Sequence, residues 1–127
     1  PPHRTPPAAL VLAPPGVFGG AELARLLREQ RVTHVVLTPT VLGTVDPDGL
    51  GGVRGVTVAG EACPASWVAR WAPGRSVFDA YGPSEATVMS NISAPLPAGG
   101  PVTVGPPTAG FAEVVLDGRL RPVPVGV

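Results

Sequence analysis

Residues 76–87 read Ser76-Val77-Phe78-Asp79-Ala80-Tyr81-Gly82-Pro83-Ser84-Glu85-Ala86-Thr87. The first six predict a strand, because β-branched and aromatic residues fit a pleated, half-buried surface. Gly82-Pro83 stops that strand, and Ser84-Glu85 opens a short helical turn. An aromatic ring, a turn, a hydroxyl and a carboxylate therefore fall within a few residues at the C-terminal end of a strand. In a parallel sheet that edge is where ligands bind. The groups suit a magnesium nucleotide: Tyr81 to stack on a purine, Ser84 to donate to a phosphate oxygen, and Glu85 to offer a hard oxygen to Mg²⁺. The same composition also builds an ordinary strand-to-helix corner in which Tyr81 and Glu85 only pack and solvate.

Outward from this stretch, strands and helices alternate. Ala8 to Ala13 is a short apolar run closed by Pro14-Pro15-Gly16, the pattern of a buried strand ending in a turn. From Gly20 to Arg31, Leu23, Leu26, Leu27 and Gln30 fall on one face while Glu22, Arg25, Arg28 and Glu29 fall mostly on the other, which predicts an amphipathic helix. Thr33 to Leu37 reads as a strand stopped by Thr38-Pro39, and Val53 to Ala59 as another stopped by Gly60. Pro64 suits the first turn of a helix running to about Arg70, with Trp67, Val68 and Trp71 as its buried stripe. The alternation predicts an α/β fold of parallel βαβ units with helices packed on the sheet. After Val88 the pattern turns strand-like with Pro/Gly breaks: Val102 to Val104, then Phe111 to Leu116, a turn at Asp117-Gly118, and Leu120 to Val125. Asp-Gly between two β-rich runs predicts a hairpin, so a small antiparallel element follows the parallel part. Residues 1–7 read as an unstructured lead.

Composition narrows the class. The 127 residues contain 17 glycines and 18 prolines, near the level of roughly 25–30% at which low-complexity disorder competes with folding. Leu, Ile, Val and Phe together number 35, enough apolar surface to build a core, and the formal net charge is zero. Nine positive and nine negative side chains are dispersed, leaving no basic stripe for nucleic acid and no polybasic membrane patch. No apolar run approaches the ~20 residues of a membrane helix. The lone Cys63 excludes an internal disulfide, and nothing at the start resembles a signal peptide, so a cytoplasmic setting is expected. The chain has no lysine. Chemistry that needs one must draw it from elsewhere.

Three stretches in order resemble a known family. Ala80-Tyr81-Gly82-Pro83-Ser84-Glu85 is similar to the Asn-x-Tyr-Gly-Pro-Thr-Glu motif of adenylation domains of nonribosomal peptide synthetases, with Ser84 in the place of Thr. Val58-Ala59-Gly60-Glu61-Ala62-Cys63-Pro64 resembles the Gly-Gly-Glu-Ala segment that precedes it, and Val32 to Thr40 resembles the strand and turn before that. The Pro after Tyr-Gly favours peptide synthetases over acyl-CoA synthetase-type relatives, which remain the nearest alternative. The resemblance runs over residues 8–127 and implies part of the large adenylation subdomain, truncated at both ends.

The resemblance implies an activity and a site. Such domains form aminoacyl-AMP from ATP and an amino acid, with Mg²⁺, and load it on the phosphopantetheine thiol of a carrier-protein domain. By that mapping Tyr81 stacks on the adenine, and the backbone of Gly60, Glu61 and Ala62 covers its other side. Asp79 accepts the adenine amino group, a departure from the usual Asn that keeps the acceptor and adds charge. Ala80 belongs to both the nucleotide site and the amino-acid pocket, Ser84 contacts the α-phosphate, and Glu85 holds the metal. Val36, Thr57, Ala59, Ala80, Val88 and Met89 line the amino-acid pocket, and each is equally the kind of residue that fills a core. Small Ala59 and Ala80 leave room, the apolar groups disfavour a buried charge, and Thr57 supplies one hydroxyl, so a large neutral and preferably aromatic substrate is expected.

Parts of the family's machinery have no counterpart here. Nothing in the first 35 residues resembles the Ser/Thr/Gly-rich phosphate loop, and the ribose-binding Asp, hinge and catalytic lysine of the family would follow Val127. The 127 residues alone are therefore expected to be inactive. A serine hydrolase is the sharpest rival, since Gly82-Pro83-Ser84-Glu85-Ala86 approximates a nucleophile elbow. It fails on the base, because His3 and His34 both precede Ser84. His3, His34 and Cys63 lack metal-ligand spacing. A non-catalytic interaction module is the remaining alternative, and nucleotide binding separates it from the adenylation reading.

Overall fold

The computed structural model describes residues 8–124. Its elements run α1 (Gly20–Glu29), β1 (His34–Leu37), α2 (Pro39–Thr44), β2 (Gly55–Ala59), α3 (Ala65–Trp71), β3 (Ser76–Tyr81), a single 3₁₀ turn (Ser84–Ala86) and β4 (Asn91–Ile92). The sheet has the order β1-β2-β3-β4; the first three strands are parallel and β4 runs antiparallel to β3. This is the α/β architecture of parallel βαβ units with a small antiparallel addition.

Register decides which side chains share a face. Val35, Val56 and Val77 align, as do Leu37, Val58 and Asp79. Val56, Val58 and Val77 are fully buried and form one core with Leu23 and Leu27 of α1, Leu42 of α2, and Val68 and Trp71 of α3. The helices thus cover one face, as right-handed crossovers between adjacent strands require. On the other face Val36, Thr57 and Phe78 align, followed by Ala59 and Ala80. Val36 there is 65% exposed, while Thr57, Phe78 and Ala59 are half-buried.

The helix termini have local causes. The α1 stripe Leu23, Ala24 and Leu27 is buried, and Arg31 ends the helix in the left-handed region at φ 52°. Arg31 N–H donates to Arg28 O at 3.1 Å and Val32 N–H to Leu27 O at 2.9 Å, the paired bonds of a Schellman cap. Thr38 caps α2 by accepting from Val41 N–H at 3.3 Å, with Pro39 in the first turn.

Four expectations are corrected. Ala8 to Ala13 is not a strand: it pairs with no strand among the described residues, and Leu10 and Leu12 stay largely exposed, so nothing supplies the ladder and cover a buried strand needs. Thr38-Pro39 stops β1 but also starts α2, a helix too short to show periodicity. Val102 to Val104 forms no strand, since prolines at 101, 106 and 107 remove ladder donors around it. Phe111 to Leu116 and Leu120 onward do not extend into strands either. The Asp117-Gly118 turn does form, with Asp117 N–H donating to Arg121 O at 2.9 Å, Val123 N–H to Val115 O at 3.0 Å and one antiparallel bridge at Leu116 and Pro122. Beyond that, Val114, Val115 and Leu120 face solvent with no sheet to bury them. Val125 and residues 1–7 lie outside the described residues. The antiparallel strand that does join the sheet is β4.

Candidate functional site

The C-terminal ends of β2 and β3 open into a cleft of about 390 Å³, within the range of small-molecule sites. Gly60, Glu61 and Ala62 wall it from the loop after β2, Asp79, Ala80, Tyr81 and Gly82 from the end of β3, and Val104 from the later chain. Six of the residues assigned to the nucleotide therefore line one cleft, and Ser84 does not. Sequence reasoning missed Gly82 and Val104; a valine in a Pro/Gly-rich run carried no signal.

Local geometry explains this wall. Gly60 turns at φ 87°, a left-handed conformation that a side chain resists, so the chain can leave β2 sharply and expose the next two residues to the cleft. Gly82 has another reason: an added Cβ would lie 2.4 Å from Met89 Cα and 2.8 Å from Val88 O. That close approach folds residues 82–89 back on themselves, and Ser90 N–H donates to Tyr81 O at 2.8 Å to close the loop. Tyr81 lines the cleft and is 54% exposed.

The loop carries the hydroxyl and the carboxylate. Ser84 and Glu85 are exposed on the 3₁₀ turn, where Ala86 N–H donates to Pro83 O at 2.9 Å. Thr87 follows at φ 69°, ψ −70°, and Val88 N–H donates to Ala86 O at 2.9 Å, a γ-turn of the strained kind. A β-branched residue in that conformation is uncommon and reverses the chain one residue after the turn.

Asp79 is 5% exposed, and burial pushes its carboxyl above the usual range. Its main chain is fixed to Ser93: Asp79 N–H donates to Ser93 Oγ at 2.9 Å and Ser93 N–H to Asp79 O at 2.9 Å. Cys63 lies close enough for the Asp79 charge to matter; burial first, then that charge, raises its thiol pKa. A thiol held neutral is a poor nucleophile or metal ligand.

Val36, Thr57, Ala59 and Ala80 stand together on the sheet face away from the helices, but of these only Ala80 lines the cleft. Val88 is 68% exposed and Met89 half-buried on the loop after β3. Phe78 shares a row with Val36 and Thr57, a neighbour the sequence mapping omitted although the alternation with Ala80 on β3 gave it that face. Among the described residues no group of three His, Cys, Asp or Glu side chains gathers to hold a metal. The exposed Glu85 fits Mg²⁺ all the same, since that ion commonly takes one or two carboxylates and completes its shell with phosphates and water. No helix among the described residues is long and apolar enough to cross a membrane.

Comparison with known proteins bears on the family and the fold. The chain is 48% identical over 120 residues to the probable non-canonical nonribosomal peptide synthetase CymA of Salinispora arenicola, covering 94% of this chain and 2% of that protein. Among solved structures, the Klebsiella oxytoca NpsA N-terminal subdomain in complex with anthranilyl-AMSN superposes with a TM-score of 0.73 at 26% identity, covering 90% of this chain and 31% of that one. PA1221, a nonribosomal peptide synthetase protein containing adenylation and PCP domains, gives a TM-score of 0.69 at 25% identity, covering 80% and 22%. The chain thus spans a small part of the length of each of these relatives. The family profile described as AMP-binding enzyme matches residues 8–127, so the chain belongs to the AMP-binding enzyme family.

Proposed function

We propose that these residues form part of the nucleotide-binding half of a larger adenylate-forming ligase, one that activates an amino acid for nonribosomal peptide synthesis. The observation that supports it most is the cleft that joins Gly60, Glu61 and Ala62 to Asp79, Ala80 and Tyr81 at the carboxyl edge of a parallel sheet. In this reading the Tyr81 ring stacks on adenine, the main chain of residues 60–62 covers the base, and Asp79 accepts its amino hydrogens. Ser84 approaches the α-phosphate. Glu85 holds Mg²⁺, which when bound neutralises charge on the phosphates.

The reaction is a displacement. A carboxylate oxygen of the amino acid bonds to the α-phosphorus, the bond from that phosphorus to the bridging oxygen breaks, and pyrophosphate leaves. The aminoacyl-AMP then passes its acyl group to the phosphopantetheine thiol of a carrier domain, releasing AMP. Catalysis of this kind depends on positioning and charge neutralisation more than on covalent help from the protein. Because the chain lacks lysine and a phosphate loop, we propose that the 127 residues alone do not catalyse it.

The Val36, Thr57 and Phe78 row with Ala59 and Ala80 beside it supports a large neutral amino acid, preferably aromatic: the groups are apolar, two are small, and one hydroxyl is available. Part of a larger protein would also account for the apolar side chains left exposed, Val36 and Leu10 among them. The test is pyrophosphate exchange into ATP by the full-length gene product with a panel of amino acids. Exchange is expected with Phe, Tyr, Trp or Leu and not with Asp, Lys, Gly or Ala. Exchange only with carboxylic acids lacking an amino group would instead favour the acyl-CoA synthetase reading.

A further inference from the structure

The side chain of Glu61 points away from the role that its main chain plays. Its Oε2 accepts from the N–H of Thr40 at 3.1 Å and also from the Thr40 hydroxyl. Thr40 lies in the first turn of α2, at the C-terminal end of β1, whereas Glu61 lies beyond the end of β2. One carboxylate thus ties the exposed loop after β2 to the corner after its neighbour β1, across a separation of 21 residues. Among the described residues no main-chain hydrogen bond outside the sheet ladder anchors residues 60–62. Gly60 at φ 87° gives that loop freedom, and the Glu61–Thr40 pair takes the freedom away.

We infer that Glu61 and Thr40 form a clasp that holds the cleft wall at the height needed to cover the nucleotide base, making Glu61 a positioning residue for ATP. The inference rests on the adenylation reading. An untethered wall would have to be ordered when the base binds, and ordering chain on binding lowers affinity without altering the chemistry that follows. The Thr40 hydroxyl first, then the Thr40 N–H and the Thr38 hydroxyl, also hold the Glu61 carboxyl below the usual range. The clasp is solvent-exposed, so its effect is on local order at the cleft rather than on overall stability.

The experiment is a double-mutant cycle in the full-length gene product, followed by ATP–pyrophosphate exchange and by melting temperature. Glu61→Ala and Thr40→Val should each raise KM for ATP by about five- to tenfold, the scale of one lost hydrogen-bonded anchor. KM for the amino acid and kcat should hold. The double variant should be no worse than either single one, because each already opens the clasp. Glu61→Gln, whose amide oxygen still accepts from Thr40, should recover most of the affinity. Thr40→Val leaves Glu61 in place and carries the test alone if Glu61→Ala does not fold. An unchanged KM for ATP in Thr40→Val, additive effects in the double variant, or a loss confined to kcat would overturn the clasp while leaving the adenylation reading intact. A wild-type protein that neither exchanges pyrophosphate nor binds ATP would overturn both.

Discussion

Asp79 lines the cleft at a cost to its own ionisation. The residue is 5% exposed near the end of β3, and burial raises its carboxyl pKa above the ordinary value near 3.8. For an acid raised in this way, the folded and unfolded states both carry the proton in strong acid and no penalty exists. As pH rises past 3.8 the unfolded state loses its proton first, and stability falls until the folded pKa is passed. Asp79→Asn should therefore raise the melting temperature at neutral pH and leave it unchanged near pH 3. Paired thermal melts at the two pH values check this; an equal gain at both would place the effect in packing rather than charge. The position of Asp79 two residues before the strand's last was readable from sequence. Its main-chain pairing with Ser93 was not, because β4 is two residues long and nothing in Asn91-Ile92 marks a strand.

At the scale of elements, α1 was legible because its stripe repeats over a full ten residues, and β3 because Gly82-Pro83 bounds it. The end of α1 carried no glycine, yet it closes with a left-handed residue, Arg31 at φ 52°. A side chain in that region costs roughly 1–2 kcal/mol that glycine does not pay, offset in part by the greater freedom of glycine in the unfolded chain. Arg31→Gly should then stabilise the chain by about 0.5–1 kcal/mol. Urea unfolding checks it, as a higher midpoint with unchanged slope; a lower midpoint would mean that the Arg31 side chain contributes more than its backbone costs. The α2 helix escaped the sequence reading for a physical reason. Thr38-Pro39 is both a strand stop and a helix cap with Pro in the first turn, and six residues containing Gly43 are too few for a periodic pattern to decide between them.

For the whole molecule, the fold class followed from the alternation of strands and helices, and most of the cleft wall from two short stretches, Gly60-Glu61-Ala62 and Asp79-Ala80-Tyr81. What brings those stretches into one cleft is parallel register: Ala59 aligns with Ala80, so the residues just past each strand meet at the same edge. The proposed amino-acid side was less legible, because lining that face depends on which side of the sheet the helices cover, and alternation alone gives two equivalent faces. The apolar runs at Ala8 to Ala13 and after Phe111 misled for a related reason: composition fits a strand, but only a neighbouring strand can complete one. The central claim, that the cleft between the ends of β2 and β3 holds the adenine of ATP, is tested most directly by photolabelling the full-length protein with azido-ATP and mapping the modified peptides after trypsin. The account predicts ATP-protected labelling in the peptide from Ser76 to Arg119, which carries Tyr81, or in that from Gly55 to Arg70, which carries Gly60 to Ala62. Labelling that ATP protects but that falls wholly outside these two peptides would contradict it.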